Sequence, residues 1–430
     1  MALTRRQFLG TSAAAVVAAG TMAKGKVFGA NERIRVACVG IHGRGGSHIG
    51  GFTALGGSEV VALCDPDAHV LEGRAKALEE KTGKKPKTYV DMRDLMADDS
   101  IDAVSFATPN HWHALGSIWA CQAGKDVYVE KPMTHNVFEG RQLVAAAEEH
   151  GRVVLVGTQR RSDPGWTRAI QRLREGVIGE VYMARALCYK NRDSIGSGEP
   201  HDPPPHLDWT LWQGPAQERP YSSRYVHYNW HWFWDYGNGD IGNQGVHQMD
   251  VAVWGLGERL PVRVSSMGGR YTYEDQAETP NTQVATFRYD DGKMLVFEVR
   301  GRATNDEGGQ RVGNLFYGSE GYMVGSTCFD KKNNEIPDEQ GPGDDIWVNG
   351  NHFDTFLRLV RSRDMSKNPA PPRIGHVGAA HCHLANVAYR VEQQLEFDPD
   401  REKVTGYGSR KANKLLTRNY RKGFEVPKLA

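Results

Sequence analysis

The sequence contains little cysteine. Only 6 of its 430 residues are cysteines, and no two of them form a CxxC pair; they are Cys38, Cys64, Cys121, Cys188, Cys328 and Cys382. Closely spaced cysteine pairs are the usual framework of a zinc site, so this pattern argues against a metal site built from these thiols. Cys38 and Cys64 fall in predicted buried strands, where a free cysteine behaves as a small apolar residue.

The sequence also lacks an excess of charge of either sign. Lysine and arginine together number 53, aspartate and glutamate 52, and no basic tract stands out. Nucleic-acid binding needs clustered lysine and arginine, so no nucleic-acid partner is expected. The length and the hydrophobic fraction of 39% fit two globular domains with sizeable cores.

Long apolar runs are absent as well. The one candidate, Phe8 to Ala19, is too short to span a bilayer. Arg5 and Arg6 precede it, which is the layout of a twin-arginine signal peptide. We therefore predict a signal peptide and linker over residues 1–30, export through the twin-arginine machinery, and a periplasmic location with no stable membrane anchor. The alternatives are a frayed N-terminal helix of a cytoplasmic protein and, less favoured, an uncleaved anchor.

Short apolar runs alternate with helix-forming segments from residue 31 to 157. The predicted strands are Ile34–Val39, Val60–Cys64, Ala103–Phe106, Val127–Val129 and Val153–Val156. Continuous apolar strands separated by helices are typical of a doubly wound parallel sheet in an α/β protein. Longer, alternating strands follow in a second domain over residues 158–396, as in 282–289 and 293–300, and favour an open antiparallel or mixed sheet. Residues 397–430 are predicted to be a C-terminal extension.

A glycine-rich loop follows the first strand, with the sequence Gly40-Ile41-His42-Gly43-Arg44-Gly45. Its first glycine allows a tight turn, its last lets helix and strand pack closely, and the helix N-terminus offers N–H groups to a pyrophosphate. His42 stands where the usual fingerprint has its middle glycine, and Gly43 beside it restores close backbone approach. Asp65 ends the second strand, where an acidic residue binds the ribose hydroxyls of adenosine. No lysine or arginine follows at once, so NAD is expected rather than NADP.

Three further motifs, taken in their order and spacing, resemble the Gfo/Idh/MocA superfamily of glucose–fructose oxidoreductases and inositol dehydrogenases. They are Thr108-Pro109-Asn110-His111-Trp112-His113, Glu130-Lys131-Pro132, and the segment from Gly239 to Asp250. The resemblance implies a Rossmann domain, then an α/β domain with a large open, mainly antiparallel sheet that mediates dimer or tetramer formation. It also implies NAD(P)-linked oxidation or reduction of sugars and polyols. A smaller branch, which includes NAD-dependent α-N-acetylgalactosaminidases, uses bound cofactor transiently to break glycosidic bonds.

The same resemblance assigns roles around the cofactor. Lys131 matches the family lysine that approaches nicotinamide and substrate, and its ammonium can stabilise an alkoxide. Pro132 is expected in the cis form. Thr108, Pro109 and Asn110 match the loop over the nicotinamide. Glu130 belongs to the same cofactor site, and His113 either lines the cleft or packs.

The sequence departs from the family pattern one helical turn before the histidine that matches the family's general base. His247 matches the histidine that serves as general base or substrate ligand. Asn243 stands one helical turn before it, where most family dehydrogenases have aspartate. Because an amide can orient the imidazole but cannot supply charge, we expect His247 to be a weak base unless Asp240 or Asp250 replaces the missing carboxylate.

Aromatic residues crowd the segment from residue 191 to 236. They include Trp209, Trp212, Tyr221, Tyr225, Tyr228, Trp230, Trp232, Trp234 and Tyr236. Flat rings suit carbohydrate, although a packed core collects them too. We expect substrate contacts from His227, Trp230 and His231, and from Arg160 at the start of the second domain unless that side chain is merely solvated. The histidines of this segment lack metal-ligand spacing.

The sequence thus supports three functions. The first is an exported oxidoreductase that acts on a hydroxyl of a sugar, glycoside or polyol with tightly held NAD. The second is a redox-neutral glycosidase that works by oxidation, elimination, addition and reduction on bound NAD. A sugar-binding protein without catalysis is less favoured, because Lys131 and His247 are both retained.

Overall fold

A computed structural model describes residues 32–302, 304–341, 345 and 347–430, so the predicted signal peptide lies outside the described residues. Within these ranges no helix is both long enough and apolar enough to cross a membrane. The six cysteines are all buried and unpaired.

The first layer is a six-stranded, entirely parallel sheet in the order β3-β2-β1-β4-β5-β6. Its strands are β1 (Ile34–Val39), β2 (Ser58–Cys64), β3 (Lys87–Tyr89), β4 (Ala103–Phe106), β5 (Asp126–Val129) and β6 (Val154–Val156). Its connecting helices are α1 (Arg44–Ala54), α2 (Ala68–Thr82), α3 (Met92–Met96), α4 (Asn110–Gln122) and α5 (Val137–Glu149). The two central strands are buried along nearly their whole length, which explains their unbroken apolar sequences. The predicted doubly wound sheet is confirmed.

The second layer is a ten-stranded sheet in which the β7–β10 pair is parallel and the other neighbouring strands of the described residues pair antiparallel. The strands are β7 (Val181–Cys188), β8 (Arg263–Gly269), β9 (Thr282–Arg288), β10 (Met294–Arg300), β11 (Val312–Gly318), β12 (Gly321–Val324), β13 (Thr327–Asp330), β14 (Glu335–Ile336), β15 (Leu395–Asp398) and β16 (Lys403–Thr405). In β9 buried and exposed residues alternate, so one face of the sheet is covered and the other is open. The predicted open, mainly antiparallel sheet is confirmed.

Seven further helices follow in the described part of the chain, and most of them pack against the closed face of this sheet or lie beside the cleft. They are α6 (Pro164–Arg174), α7 (Trp209–Gln213), α8 (Gly239–Asn243), α9 (Gly245–Leu256), α10 (His352–Ser362), α11 (Pro372–Val391) and α12 (Ser409–Leu415). Apolar residues of α9 and α11, such as Met249 and Leu384, pack in one core with the sheet residues Phe287 and Phe297. That core holds α8 and α9 in place beside the first sheet.

The chain returns twice to the core of the first sheet. Helix α10 inserts Phe356 and Leu359 into it, and the ring of Phe353 lies 4.9 Å from that of Phe52. Near the C-terminus Phe424 and Val426 join the same core. The first sheet is therefore completed by residues far along the chain, and residues 397–430 are built into both layers.

Candidate active site

A cavity of about 600 Å³ opens at the carboxyl ends of β1, β2, β4 and β5. In an open α/β sheet this edge is where ligands bind. The cavity brings together residues that are far apart in sequence and were predicted to form one site: Gly40, His42, Gly43, Arg44, Asp65, Thr108, Pro109, Asn110, His113, Glu130, Lys131, His227, Trp230, His231, Asn243 and His247. Gly45 and Arg160 are predicted site residues that do not line it.

The glycine-rich loop has the shape that a pyrophosphate requires. Gly40 has a φ of +74°, and a Cβ there would lie 2.7 Å from the Thr108 backbone. A Cβ on Gly45 would lie 2.1 Å from the Gly40 carbonyl oxygen, so Gly45 supports the turn from behind. A Cβ on Gly43 would meet nothing within 4 Å. Helix α1 begins at Arg44, and no described side chain caps its N-terminus. Its first backbone N–H groups therefore face the open side of the loop.

Asp65 lies at the end of β2, as predicted for a ribose ligand. Its two carboxylate oxygens accept backbone hydrogen bonds from Ile41 at 2.9 Å and from Asp67 at 3.0 Å. These bonds fix the carboxylate beside the glycine-rich loop. Burial raises the pKa of Asp65 to about 6, and the two backbone donors only partly oppose this shift.

The loop after β4 is tied to the turn after β5. His113 faces two carbonyl oxygens, with Nδ1 2.7 Å from that of Pro132 and Nε2 2.9 Å from that of Thr108. Burial lowers its pKa, while the two carbonyls favour the protonated ring. The hydroxyl of Thr108 is buried and has no hydrogen-bond partner in the described part of the chain. His113 therefore braces the site, and Thr108 keeps a free hydroxyl in the cavity wall.

A buried carboxylate organises the floor of the cavity. Glu130 Oε1 accepts hydrogen bonds from Arg44 at 2.8 Å, from Gln159 at 3.0 Å and from His48 Nε2 at 3.2 Å. Burial opposes ionisation, but the His48 hydrogen bond and the charges of Arg44 and Lys131 hold the pKa of Glu130 well below its usual range. Gln159 was expected beside the cleft, but its contact with Glu130 and the whole part of His48 were not predictable, because these residues are far from Glu130 along the chain.

Lys131 points from this floor across the cleft to the second domain. Its Nζ donates a 2.8 Å hydrogen bond to the backbone carbonyl of Asn243. The Lys131–Pro132 peptide bond is cis, as expected. Burial lowers the pKa of Lys131, which the charge of Glu130 opposes. The ammonium is thus held at the point where the two layers meet.

His247 is an uncharged imidazole in the opposite wall. Burial and the nearby charge of Lys131 lower its pKa to about 3. No described side chain forms a hydrogen bond with its ring, and Asn243 does not reach it. Gln244, between α8 and α9, has the helical dihedrals φ −78° and ψ −40°, so Asn243 and His247 are still spaced by about one turn.

Asp240 and Asp250, the two aspartates that could replace the carboxylate missing at position 243, both pair with arginines and not with His247. Asp240 pairs with Arg192, with donor–acceptor distances of 2.7 and 3.0 Å. Asp250 pairs with Arg161 at 2.9 and 3.0 Å. Both carboxylates are therefore paired with arginines, so neither replaces the carboxylate that Asn243 lacks.

His231 supplies a second neutral imidazole. Its Nδ1 lies 2.5 Å from the Tyr228 carbonyl oxygen, and its ring stacks on Trp230 with centroids 3.6 Å apart. Burial lowers its pKa to about 3, so the single ring proton stays on Nδ1 and Nε2 is left as an acceptor. Tyr225, Phe233 and Tyr236 of the aromatic segment pack in a small core, while Trp230 and His231 line the cavity, where they are placed for the predicted substrate contacts.

The aromatic segment also closes over the Asp65 end of the cavity. His227 Nε2 lies 3.0 Å from an Asp67 carboxylate oxygen, and its ring stacks on that of His42 with centroids 4.2 Å apart. Backbone hydrogen bonds from Ala68 to His206 at 2.8 Å and from Asp208 to Pro66 at 2.9 Å join the same two segments. We call the contacts of His42, Asp67 and His227 the histidine clasp; sequence reasoning missed the part of Asp67.

The two arginines that begin the second domain lie outside the cavity lining. The guanidinium of Arg160 is 5.1 Å from the ring centroid of Trp166, and it influences His247 only through its charge. Arg161 is buried in its pair with Asp250. In the described ranges no group of three or more acidic, histidine or cysteine side chains is placed to hold a metal ion.

The residues of the cavity fit a dinucleotide. An uncapped helix N-terminus faces the glycine-rich loop, the position of Gly43 is open, and the carboxylate of Asp65 and the unpartnered hydroxyl of Thr108 lie in the same wall. These are groups that a pyrophosphate, a ribose and a nicotinamide would use. NAD would thus lie along the wall formed by the first sheet, with its reactive end toward Lys131.

Similarity to known proteins agrees with this geometry. A family model described as "Oxidoreductase family, NAD-binding Rossmann fold" matches residues 34–158, and one described as "Oxidoreductase family, C-terminal alpha/beta domain" matches residues 194–426. A "Glycosyl hydrolase family 109 protein" of Shewanella pealeana is 30% identical over 209 residues, which cover 43% of this chain and 46% of that protein. The match thus spans less than half the length of that curated relative.

Solved structures share the fold. The WlbA dehydrogenase of Bordetella pertussis, crystallised with NADH and UDP-GlcNAcA, superposes with a TM-score of 0.63 at 22% identity, covering 85% of this chain and 99% of that one. An oxidoreductase domain protein of Kribbella flavida gives a TM-score of 0.64 at 21% identity, with the same coverage. Because the two family models together take in most of its length, the chain belongs to the Gfo/Idh/MocA oxidoreductase family, and its cofactor is NAD.

Proposed function

We propose that this protein oxidises a hydroxyl group of a carbohydrate by hydride transfer to NAD that it holds tightly. One observation carries the proposal: the Lys131 ammonium and two uncharged imidazoles, those of His231 and His247, line the cavity that also contains the nucleotide loop. A hydroxyl placed among them has a hydrogen-bond donor and two acceptors within one wall. Ring faces of Trp212 and Trp230 in the same lining suit the C–H faces of a sugar.

Each polar group has a distinct task in this proposal. Bound NAD⁺ supplies the acceptor for the hydride that leaves the carbinol carbon. Lys131 donates a hydrogen bond to the reacting oxygen and stabilises the negative charge that grows on it. His247 accepts the hydroxyl proton, and His231 Nε2 accepts a hydrogen bond from a second hydroxyl and orients the sugar.

The electrostatics make the proton transfer easy to reverse. An imidazolium at His247 would lie near the Lys131 ammonium, whose charge is among the causes of its lowered pKa. The proton therefore returns readily when hydride returns to the ketone. A site of this kind suits a reaction in which the cofactor is oxidised again before the product leaves.

This reversibility favours a second candidate, a redox-neutral glycosidase. Oxidation of the hydroxyl two carbons away from the glycosidic carbon acidifies the C–H between them. Loss of that proton expels the aglycone by elimination, and addition of water and return of hydride to the ketone complete the cycle. Two observations favour it: the similarity to proteins named glycosyl hydrolase family 109, and the histidine clasp that closes over the cofactor end of the cavity.

The two candidates are separated by one experiment on the purified full-length protein. Absorbance at the reduced-nicotinamide band is recorded after addition of sugars and of aryl glycosides, while aglycone release is followed in parallel. Stoichiometric reduction without turnover supports the oxidoreductase, and aglycone release without net reduction supports the glycosidase. A protein that binds no nucleotide would contradict both.

Lys131→Ala tests the chemistry itself. The variant should retain NAD, because Lys131 does not contact the glycine-rich loop, and it should lose hydride transfer. Lys190→Ala is the matched control, since Lys190 is exposed, is bonded to Gln244 and does not line the cavity. Full activity in Lys131→Ala would contradict the proposed role.

Export and assembly complete the proposal. We propose that the twin-arginine leader carries the folded, NAD-loaded protein to the periplasm, and that two or more copies associate through the open face of the ten-stranded sheet. That face exposes Met267, Val284 and Met294 on adjacent strands. Replacement of Arg5 and Arg6 by lysine should retain the protein in the cytoplasm. In a separate test, analytical sedimentation should show a dimer or tetramer of the wild type, and Met267→Glu should weaken this association.

A further inference from the structure

His48 is a buried, titratable residue that the proposed reaction does not use. It lies on α1 and is 0% exposed. The rings of Tyr128 and Phe353 pack against it, with centroids 5.2 and 5.3 Å from that of the imidazole. A polar ring is costly to bury unless its nitrogens are bonded, so its role follows from the two bonds that it makes.

The two ring nitrogens join the first sheet to the floor of the active-site cavity. Nδ1 lies 2.7 Å from Oγ of Ser105, a fully buried residue of β4. Nε2 lies 3.2 Å from Oε1 of Glu130, which follows β5. Glu130 is ionised, because its donors and the nearby cations hold its pKa well below its usual range in spite of burial, so Nε2 is the donor. Ser105 thus fixes the plane of the ring, and the ring fixes one carboxylate oxygen.

His48 differs from the other two described side chains that donate to this oxygen. Arg44 donates at 2.8 Å, but 46% of its side chain is exposed, and it begins the helix that faces the glycine-rich loop. Its guanidinium is therefore open to solvent and to the phosphates of a bound cofactor. Gln159 donates at 3.0 Å and is only partly buried. His48 is thus the donor that neither solvent nor cofactor reaches.

The other carboxylate oxygen of Glu130 faces the turn that carries Lys131. Oε2 accepts the backbone N–H of Lys131 at 3.2 Å, so the carboxylate spans the floor from His48 to this turn. Burial lowers the pKa of Lys131, and of the charges around it that of Glu130 raises the pKa most. An ammonium stabilises an alkoxide only while it is protonated, so the Glu130 carboxylate supports the task proposed for Lys131.

The remaining charged groups around Lys131 do not replace Glu130. Asp240 also favours the ammonium, but it is paired with Arg192 at 2.7 and 3.0 Å. The other titratable side chains around Lys131 are cations or imidazoles, which add no negative charge: Arg44, Lys190, His113, His231 and His247.

We propose that Ser105 and His48 are positioning residues for hydride transfer: they hold the Glu130 carboxylate at the turn that carries Lys131. The carboxylate in turn keeps the Lys131 ammonium charged where the substrate hydroxyl is placed. This role rests on the proposed function, in which Lys131 stabilises the growing alkoxide. Without His48, the carboxylate can turn toward the guanidinium of Arg44 in a two-oxygen pair, and its charge then moves away from Lys131.

Titration of Lys131 tests this role without a substrate. The full-length protein is labelled with 13C at the lysine ε-carbons, and the NMR signal of Lys131 is identified by its loss in Lys131→Arg. Glu130→Gln should lower the midpoint of this signal by about one pH unit or more, as expected when a nearby opposite charge is removed. Glu139→Gln removes another buried carboxylate and is the matched control, with an unchanged midpoint. An unchanged midpoint in Glu130→Gln, or an equal shift in Glu139→Gln, would overturn the proposal.

Variants of His48 separate positioning from packing. His48→Phe keeps a buried ring but removes the donor, so it should lower the Lys131 midpoint by about half a unit, less than the loss of the charge itself. His48→Gln keeps an N–H donor and should restore the wild-type midpoint, while Ser105→Ala should shift it in the same direction as His48→Phe. His381→Phe changes a buried histidine beside Phe287 in the other core and should shift nothing.

A wild-type midpoint in His48→Phe would show that the ring only fills space, and would overturn the role of His48. If Glu130→Gln fails to give a cooperative thermal melt, the comparison of His48→Phe with His48→Gln decides, and equal midpoints in that pair would contradict the proposal.

The rate of NAD reduction separates this role from the proposed function. Because Lys131 acts as an ammonium, the rate should fall as the pH rises through its pKa. In Glu130→Gln this fall should begin at a lower pH, by the same amount as the NMR midpoint. A shifted midpoint with an unshifted rate profile would contradict the proposed role of Lys131 in the reaction, whereas an unshifted midpoint contradicts the positioning by Glu130.

Discussion

Asn243→Asp should convert His247 into a stronger base. The substitution adds a carboxylate about one helical turn away, at a Cβ–Cβ separation of about 6 Å. At an effective dielectric constant of about 20, two unit charges at that distance attract by about 3 kcal/mol, which corresponds to about 2 pKa units. The pKa of His247, lowered to about 3 in this protein, should therefore rise to about 5.

Histidine-labelled NMR measures this shift without knowledge of the substrate. The His247 signal is identified by its loss in His247→Gln. In the wild type it should not titrate between pH 4.5 and 8, whereas in Asn243→Asp its midpoint should enter this range. Gln244→Glu is the control, because it adds the same charge one residue along, where the side chain contacts Lys190 and lies outside the cavity lining. An unshifted His247 in Asn243→Asp, or an equal shift in Gln244→Glu, would refute the reasoning.

Asp65, His227 and His381 each give a further testable prediction. Burial raises the pKa of Asp65 to about 6, so its carboxylate becomes protonated as the pH falls below 6. The affinity for NAD should then drop by at most about tenfold per pH unit. Fluorescence titration should show this drop in the wild type and a weaker, pH-independent affinity in Asp65→Asn. His227→Phe keeps a ring beside His42 but removes the hydrogen bond to Asp67, so NAD should dissociate about tenfold faster, as measured by stopped flow. In the control His201→Phe, which lies outside the cavity lining, NAD should dissociate at the wild-type rate. Burial lowers the folded-state pKa of His381 from 6.5 to about 4, so as the pH falls the unfolded chain binds a proton at this histidine before the folded protein does. The free energy of unfolding should therefore fall between pH 6.5 and pH 4 by about 1.4 kcal/mol per pH unit from this group. Urea unfolding of His381→Phe should show a shallower fall with pH, and an equal slope would contradict the assignment.

The fold was largely predictable because its signals are local. The strands of the first sheet are buried on both faces and therefore apolar without interruption, as in β1 and β4. The alternating burial of β9 likewise shows its one covered face. The return of α10 to the first sheet was not predictable, because an apolar stripe on a helix does not say which of two cores it enters.

The candidate site was predictable only where a residue's role follows from its place along a motif. Gly40, Asp65 and Lys131 each follow a strand, and the topology brings the ends of these strands together. The contacts of Glu130 with His48 and of His227 with Asp67 join segments that no motif connects. The use of Asp240 and Asp250 by two arginines was equally hidden, because the sequence shows the carboxylates but not their partners.

The return of α10 to the first sheet separates the order of synthesis from the order of folding. Residues 34–156 leave the ribosome early, yet the ring of Phe353 lies 5.1 Å from that of Tyr128 on β5, beside the buried His48. The floor under Glu130 therefore becomes complete only after α10 has been made, and the core of the first sheet only after Phe424 has been made. The dinucleotide fold is the first to be translated and the last to be finished, so we expect NAD to bind only after translation is complete.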